Sequence, residues 1–85
     1  MKTNKYCIAN WKMYLNDSEV RSFLKTFNLY NFDKDYAKIV LCPSYSSILT
    51  LKNNNVYNNF NIGSQDVSKH LKGAFTGDVS INMLA

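Results

Sequence analysis

Residues 5–30 read KYCIANWKMYLNDSEVRSFLKTFNLY, and the change of rhythm inside this stretch decides the fold. Lys5 to Ala9 is a short run rich in strand formers, centred on Tyr6-Cys7-Ile8-Ala9. A polar turn follows, from Asn10 to Asn16. From Asp17 to about Tyr30 the spacing turns helical, with Val20, Phe23, Leu24 and Phe27 at i, i+3, i+4 and i+7 on one apolar face. Asn16 suits the N-cap, because its side-chain oxygen can accept from a free first-turn N–H. Glu19, three residues later, completes a capping box. A strand, a short turn and an amphipathic helix make one βα unit.

The rest of the chain repeats that unit. Ala37 to Cys42 is a second strand, and its near-continuous apolar centre, Ile39-Val40-Leu41, fits a parallel strand covered on both faces. Pro43 ends it. Ser44 is placed to cap a short helix whose buried face is Tyr45, Ile48 and Leu49. Lys52 to Asn59 carries five Asn and reads as a loop. Phe60 to Gly63 is a third strand. A long connection, Ser64 to Val79, holds Gly73 and Gly77, and unstructured loops of this length are usually functional or disordered. Ser80 then caps a new helix with Ile81, Met83 and Leu84 as its first apolar residues. The alternation predicts an α/β fold, a parallel sheet with right-handed helical crossovers. Residues 1–85 read as part of a single domain, with no linker and no second domain.

Composition narrows the function classes. With 46% apolar residues the chain is globular in type, and its net charge of +4 is small and dispersed. Arg21 is the only arginine, and no basic run occurs, so neither DNA nor RNA is an expected partner. Small anionic metabolites suit this charge at least as well as DNA or RNA would. Cys7 and Cys42 sit in apolar runs and are expected to be buried free thiols. The N-terminal apolar stretch is too short for a signal peptide core, and no window approaches membrane-spanning length. The expected location is the cytoplasm, with no membrane partner.

Candidate chemistry begins at the end of the first strand. Residues just past a parallel strand's C-terminal end face the ligand side of a βα fold. Asn10 and Lys12, two apart in extended chain, are expected to point the same way, with Trp11 turned toward the core. An amide and an ammonium side by side would attract a phosphate and stabilise negative charge developing on an oxygen. Spacing alone is weak support, since a lysine after a strand is usually just solvated. His70 is the only histidine, but it falls in the middle of the long loop. Glu19 reads as a cap, Asp17 as a first-turn helix residue, and Asp33 and Asp35 as turn residues. No pair of carboxylates suggests acid–base chemistry, and no Cys/His spacing suggests a metal site.

Two segments carry a resemblance to a known family. Asn10-Trp11-Lys12-Met13, directly after the first strand, resembles the first active-site loop of triosephosphate isomerase. Lys72-Gly73-Ala74-Phe75-Thr76-Gly77-Asp78-Val79-Ser80 resembles the third loop of that family, with Asp78 where Glu is usual. Val40-Leu41-Cys42-Pro43 and Gly63-Ser64-Gln65-Asp66-Val67 are softer matches to the second and third strand ends. Tyr14 departs from the usual Asn.

The resemblance implies the first three βα units of a TIM (β/α)8 barrel, ending early in the third helix. It implies that Asn10 and Lys12 bind a triose phosphate, with Lys12 stabilising the enediolate-like transition state. It also implies a homodimer formed through the third loop, with Gln65, Phe75, Thr76 and Gly77 at the interface. No cofactor is implied. In the family a Glu base and a neutral His transfer the protons beneath a lid that excludes water. By resemblance those groups belong to later strands, so the 85 residues alone are expected to be inactive and only marginally stable, with an uncovered core face and open sheet edges. The competing expectation is a non-catalytic remnant, or an interaction module docking on an intact isomerase subunit.

Overall fold

The computed structural model describes residues 5–30 and 37–85. The elements are β1 (Tyr6–Asn10), α1 (Asp17–Phe27), β2 (Lys38–Cys42), α2 (Ile48–Asn53), β3 (Asn61–Ile62) and α3 (Ile81–Leu84). A single 3-10 turn, Tyr45–Ser47, leads into α2. Asp33 and Asp35 lie outside the described residues. The strands form one parallel sheet in the order β1-β2-β3. Tyr6 is opposite Lys38 and Asn10 opposite Cys42, while Val40 faces Asn61 and Leu41 faces Ile62. Because every strand runs the same way, the segments after β1, β2 and β3 leave the sheet at one rim.

α1 starts where its cap dictates. The Asn16 side chain accepts from the Glu19 N–H at 2.9 Å, and Glu19 accepts from the Asn16 N–H at 3.0 Å. Its apolar stripe drives the packing: Val20 and Leu24 are buried with Leu41, Leu51 and Phe60, and Phe23 and Phe27 pack against that cluster. Trp11, Phe23, Phe27 and Phe60 run as a chain of rings with successive centroids 5.0, 5.3 and 5.6 Å apart. This aromatic row joins the turn after β1 to the start of β3. Thr50 of α2 donates to the Asp17 carboxylate, which also receives Arg21 at 2.9 Å. The Thr50 hydrogen bond, and then Arg21, hold the Asp17 carboxyl below its ordinary value.

Three expectations need correction. The Asp17 helix ends at Phe27, short of Tyr30. The buried residues around α2 are Ser47, Thr50 and Leu51, whereas Leu49 is exposed. The 3-10 turn advances about 120° per residue instead of about 100°, so the face that follows is rotated from the one an α-period predicts. Ser44 stands at the N-cap of that turn but makes no capping bond, since its hydroxyl pairs with that of Ser46 at 2.9 Å.

The sheet is also covered less than its apolar content suggests. Ala9, Ile39 and Leu41 pack into the helix-side core, while Tyr6 and Ile8 on the other face are exposed. Cys42 is buried as expected, but Cys7 is exposed. The cause is position, because β1 is an edge strand with a neighbour on one side only among the described residues. Among the described residues no strand pairs with the outer side of β1, which contains neither a charged residue nor Pro.

Candidate active-site rim

The turn after β1 is built by hydrogen bonds to the other two strand ends. The Trp11 N–H donates to the Cys42 carbonyl at 3.0 Å and extends the sheet ladder by one bond. The Trp11 ring turns to the core and meets Phe23 edge-on. Lys12 then adopts φ +56°, a left-handed conformation rare for a side-chain-bearing residue. The Lys12 N–H donates to Asn10 Oδ1 at 2.9 Å, a side-chain turn that supports this conformation locally. Support also comes from afar, since Gln65 Nε2 donates to the Lys12 carbonyl at 2.8 Å and to the Cys42 carbonyl at 3.0 Å.

This geometry corrects one premise. Asn10 and Lys12 are neighbours, but not because the chain stays extended. The strand ends at Asn10, and the backbone reverses hand at Lys12. The amide oxygen of Asn10 is spent on the Lys12 backbone. Both residues remain exposed, with Trp11 directed to the core. Among the described residues no carboxylate lies within ion-pair distance of the Lys12 ammonium. No group of three or more His, Cys, Asp or Glu residues is arranged to hold a metal among the described residues.

The third loop is folded on itself. The Ser68 N–H donates to the Val79 carbonyl at 2.8 Å and closes the base. The Ser68 hydroxyl donates to Asp78 at 3.3 Å and accepts from the His70 N–H at 3.1 Å. The His70 ring stacks on Phe75, with centroids 4.0 Å apart and planes 5° apart. Gly73, at φ +145°, lies so close to Phe75 that a Cβ would stand 2.7 Å from the ring. Phe75, Thr76 and Gly77 are exposed. At its foot, burial and then the negative charges of Asp66 and Asp78 push the Tyr45 phenol up.

With this rim in view, the comparisons are decisive. The sequence model of the family described as triosephosphate isomerase matches residues 5–85. The chain belongs to the triosephosphate isomerase family. It is similar to the triosephosphate isomerase of Buchnera aphidicola subsp. Baizongia pistaciae, 39% identical over 83 residues, which is 94% of this chain and 33% of that protein. It is 40% identical over 81 residues to the enzyme of Idiomarina loihiensis, covering 91% of this chain and 31% of the relative. The Dictyoglomus turgidum enzyme is 32% identical over 80 residues, 94% of this chain and 32% of the relative. The chain spans about a third of the length of the curated relatives it matches.

The rim brings Asn10, Lys12 and Gln65 together, while Phe75, Thr76 and Gly77 are exposed in the third loop. An exposed lysine on a backbone fixed by two separate hydrogen bonds puts a positive charge within reach of the rim, suited to an anionic ligand. Sequence reasoning placed Gln65 only at a subunit contact and missed its bonds inside the chain. Those bonds span 53 and 23 positions, and no local pattern signals them. No helix among the described residues is long and apolar enough to cross a membrane.

Proposed function

We propose that residues 1–85 form the first three βα units of a (β/α)8 barrel that interconverts dihydroxyacetone phosphate and glyceraldehyde 3-phosphate in the cytoplasm. On this reading they are one part of a single domain, and no cofactor takes part. Asn10 and Lys12 bind the triose phosphate. The Lys12 ammonium stabilises negative charge on the substrate oxygen as a proton leaves the neighbouring carbon. The third loop joins two subunits, with Gln65, Phe75, Thr76 and Gly77 at or near the contact. The observation that carries the reading is the left-handed, exposed Lys12 directly after β1, its backbone held by Asn10 and Gln65.

The same reading makes the 85 residues inactive by themselves. Lys12 can polarise but cannot abstract a carbon-bound proton at a useful rate. Several of the described groups that could serve as a base are committed elsewhere. Asp17 is tied to Thr50 and Arg21, Glu19 caps α1, Asp78 accepts from Ser68, and His70 is stacked in the third loop. The test has two arms. The 85-residue chain should give no turnover of dihydroxyacetone phosphate above buffer. Residues 1–85 grafted onto the last two thirds of the Buchnera aphidicola isomerase should give an active barrel that Lys12→Met disables by roughly a hundredfold or more. An active graft indifferent to Lys12→Met would defeat the assignment.

A second reading, a non-catalytic module that docks on an isomerase subunit, is favoured by one observation. The third loop holds its shape through contacts within itself. Hybrid dimers between the 85-residue chain and an intact subunit would support it.

A further inference from the structure

We propose that Phe23 is a positioning residue for Lys12: its ring clamps Trp11 from the core side, and through Trp11 it fixes the turn that presents the lysine. The proposal rests on the reading of Lys12 above and adds a determinant on α1. Trp11 stands between Asn10 and Lys12, so whatever holds its ring restrains the backbone on either side. The Trp11 N–H is tied to the Cys42 carbonyl at 3.0 Å. Its ring meets Phe23 edge-on, with centroids 5.0 Å apart and planes at 77°. Phe23 in turn lies 5.3 Å from Phe27, and Phe27 meets Phe60 edge-on at 5.6 Å. Phe60 is 4% exposed and its carbonyl accepts from Asn55 Nδ2 at 2.8 Å, which fixes the far end of the row.

Phe60 directly precedes β3, and Gln65 follows that strand and reaches back to the Lys12 carbonyl at 2.8 Å. The contacts therefore close a circuit. It runs from Lys12 to Gln65, along β3 to Phe60, and back through Phe27, Phe23 and Trp11. Lys12, at φ +56°, lies within that circuit. A left-handed residue with a side chain persists only where its surroundings over-determine it. The Asn10 turn and the Gln65 bonds restrain Lys12 through polar groups, and the Trp11–Phe23 pair is the apolar restraint. Edge-to-face ring pairs are directional and contribute beyond the area they bury. Phe23 belongs to two of the three pairs in the row, so loss of its ring opens the circuit beside Trp11. A leucine there would fill most of the space but let the indole rock.

The test uses the barrel in which residues 1–85 are grafted onto the last two thirds of the Buchnera aphidicola isomerase. Phe23→Leu, assayed well below its melting temperature, should lower kcat/KM for dihydroxyacetone phosphate about 3- to 10-fold. Phe23→Tyr keeps the ring, and its hydroxyl can reach solvent from a half-buried site, so it should stay within about twofold of the parent. A merely structural role would act alike with or without the lysine, and a double-mutant cycle separates the two. In a Lys12→Met graft, Phe23→Leu should change the residual kcat/KM by less than about twofold. The competitive inhibition constant of inorganic phosphate should rise at least about twofold in Phe23→Leu. Where Phe23→Leu does not fold, Phe23→Met takes its place with the same expected values. A Phe23→Leu graft indistinguishable from the parent, a Phe23→Tyr graft as weak as Phe23→Leu, an unmoved phosphate constant, or an equal fall in the Lys12→Met background overturns the role of Phe23 and leaves the reading of Lys12 standing. A graft whose turnover ignores Lys12→Met defeats that reading and this proposal with it.

Discussion

Gln65→Met in the grafted barrel is the sharpest probe of how the rim is held. The substitution keeps chain length and removes the Nε2 donor, and with it hydrogen bonds of 2.8 Å to Lys12 and 3.0 Å to Cys42. Each bond is worth about 0.5–1.5 kcal/mol net. The Cys42 carbonyl keeps its bond from the Trp11 N–H, and the Lys12 carbonyl lies on an exposed residue where water can replace the amide. The total loss therefore falls toward the low end, about 1–2 kcal/mol. The left-handed backbone of Lys12 costs about as much, roughly 1–2 kcal/mol. Removing the tether then leaves only the Asn10 turn against the strain, and other loop conformers gain population. A loss of that size corresponds to a fall in kcat/KM of about 5- to 30-fold, read by steady-state isomerisation of dihydroxyacetone phosphate. Gln65→Glu should fall further, because its carboxylate would face two carbonyl oxygens. The reasoning fails if Gln65→Met stays within about twofold of the parent while Lys12→Met abolishes turnover.

Other expectations concern the scaffold. Gly63→Ala should destabilise by about 1–3 kcal/mol, since its Cβ would stand 2.8 Å from Cys42 Sγ and 3.1 Å from Val40. Adding Cys42→Ala should recover part of that loss in urea denaturation, because it empties the contested space. Asp17 titrates below the ordinary 3.8 in the folded chain, so its contribution is complete above that value and disappears as pH falls through the folded pKa. Thr50→Val removes the leading cause and should flatten this acid limb, followed by circular dichroism against pH. Iodoacetamide should modify the exposed Cys7 in the folded chain and reach the buried Cys42 only on unfolding. Equal rates at both thiols would contradict the described packing.

The parts legible in the sequence were those coded locally. The α1 stripe and its capping box lie within a dozen residues, and both periodicity and cap chemistry announce them. The Ser80 cap was legible for the same reason, its hydroxyl accepting from the Met83 N–H at 3.3 Å. Legibility fails where a local surprise resets the phase, as the 3-10 turn does before α2, turning Leu49 outward and Thr50 inward. It fails again at Lys12, because a lysine carries no mark of positive φ as a glycine does. Contacts far apart in sequence were invisible: Gln65 to Lys12 and Thr50 to Asp17 are fixed by the sheet order and register, not by any motif. Cys7 misled because an apolar run records what a strand can bury and says nothing about whether a neighbour arrives to cover it.

The bare outer side of β1 has a consequence for biosynthesis. The alternate residues of Tyr6–Asn10 whose backbone groups face away from β2, in a strand with no charge and no Pro, lack two usual guards against edge-to-edge pairing. Whenever these residues stand on a ribosome without a further strand alongside, the nascent segment carries an adhesive border through the remaining minutes or seconds of translation. Holdase chaperones are suited to shielding such a border, and crowding of neighbouring polysomes is suited to exploiting it.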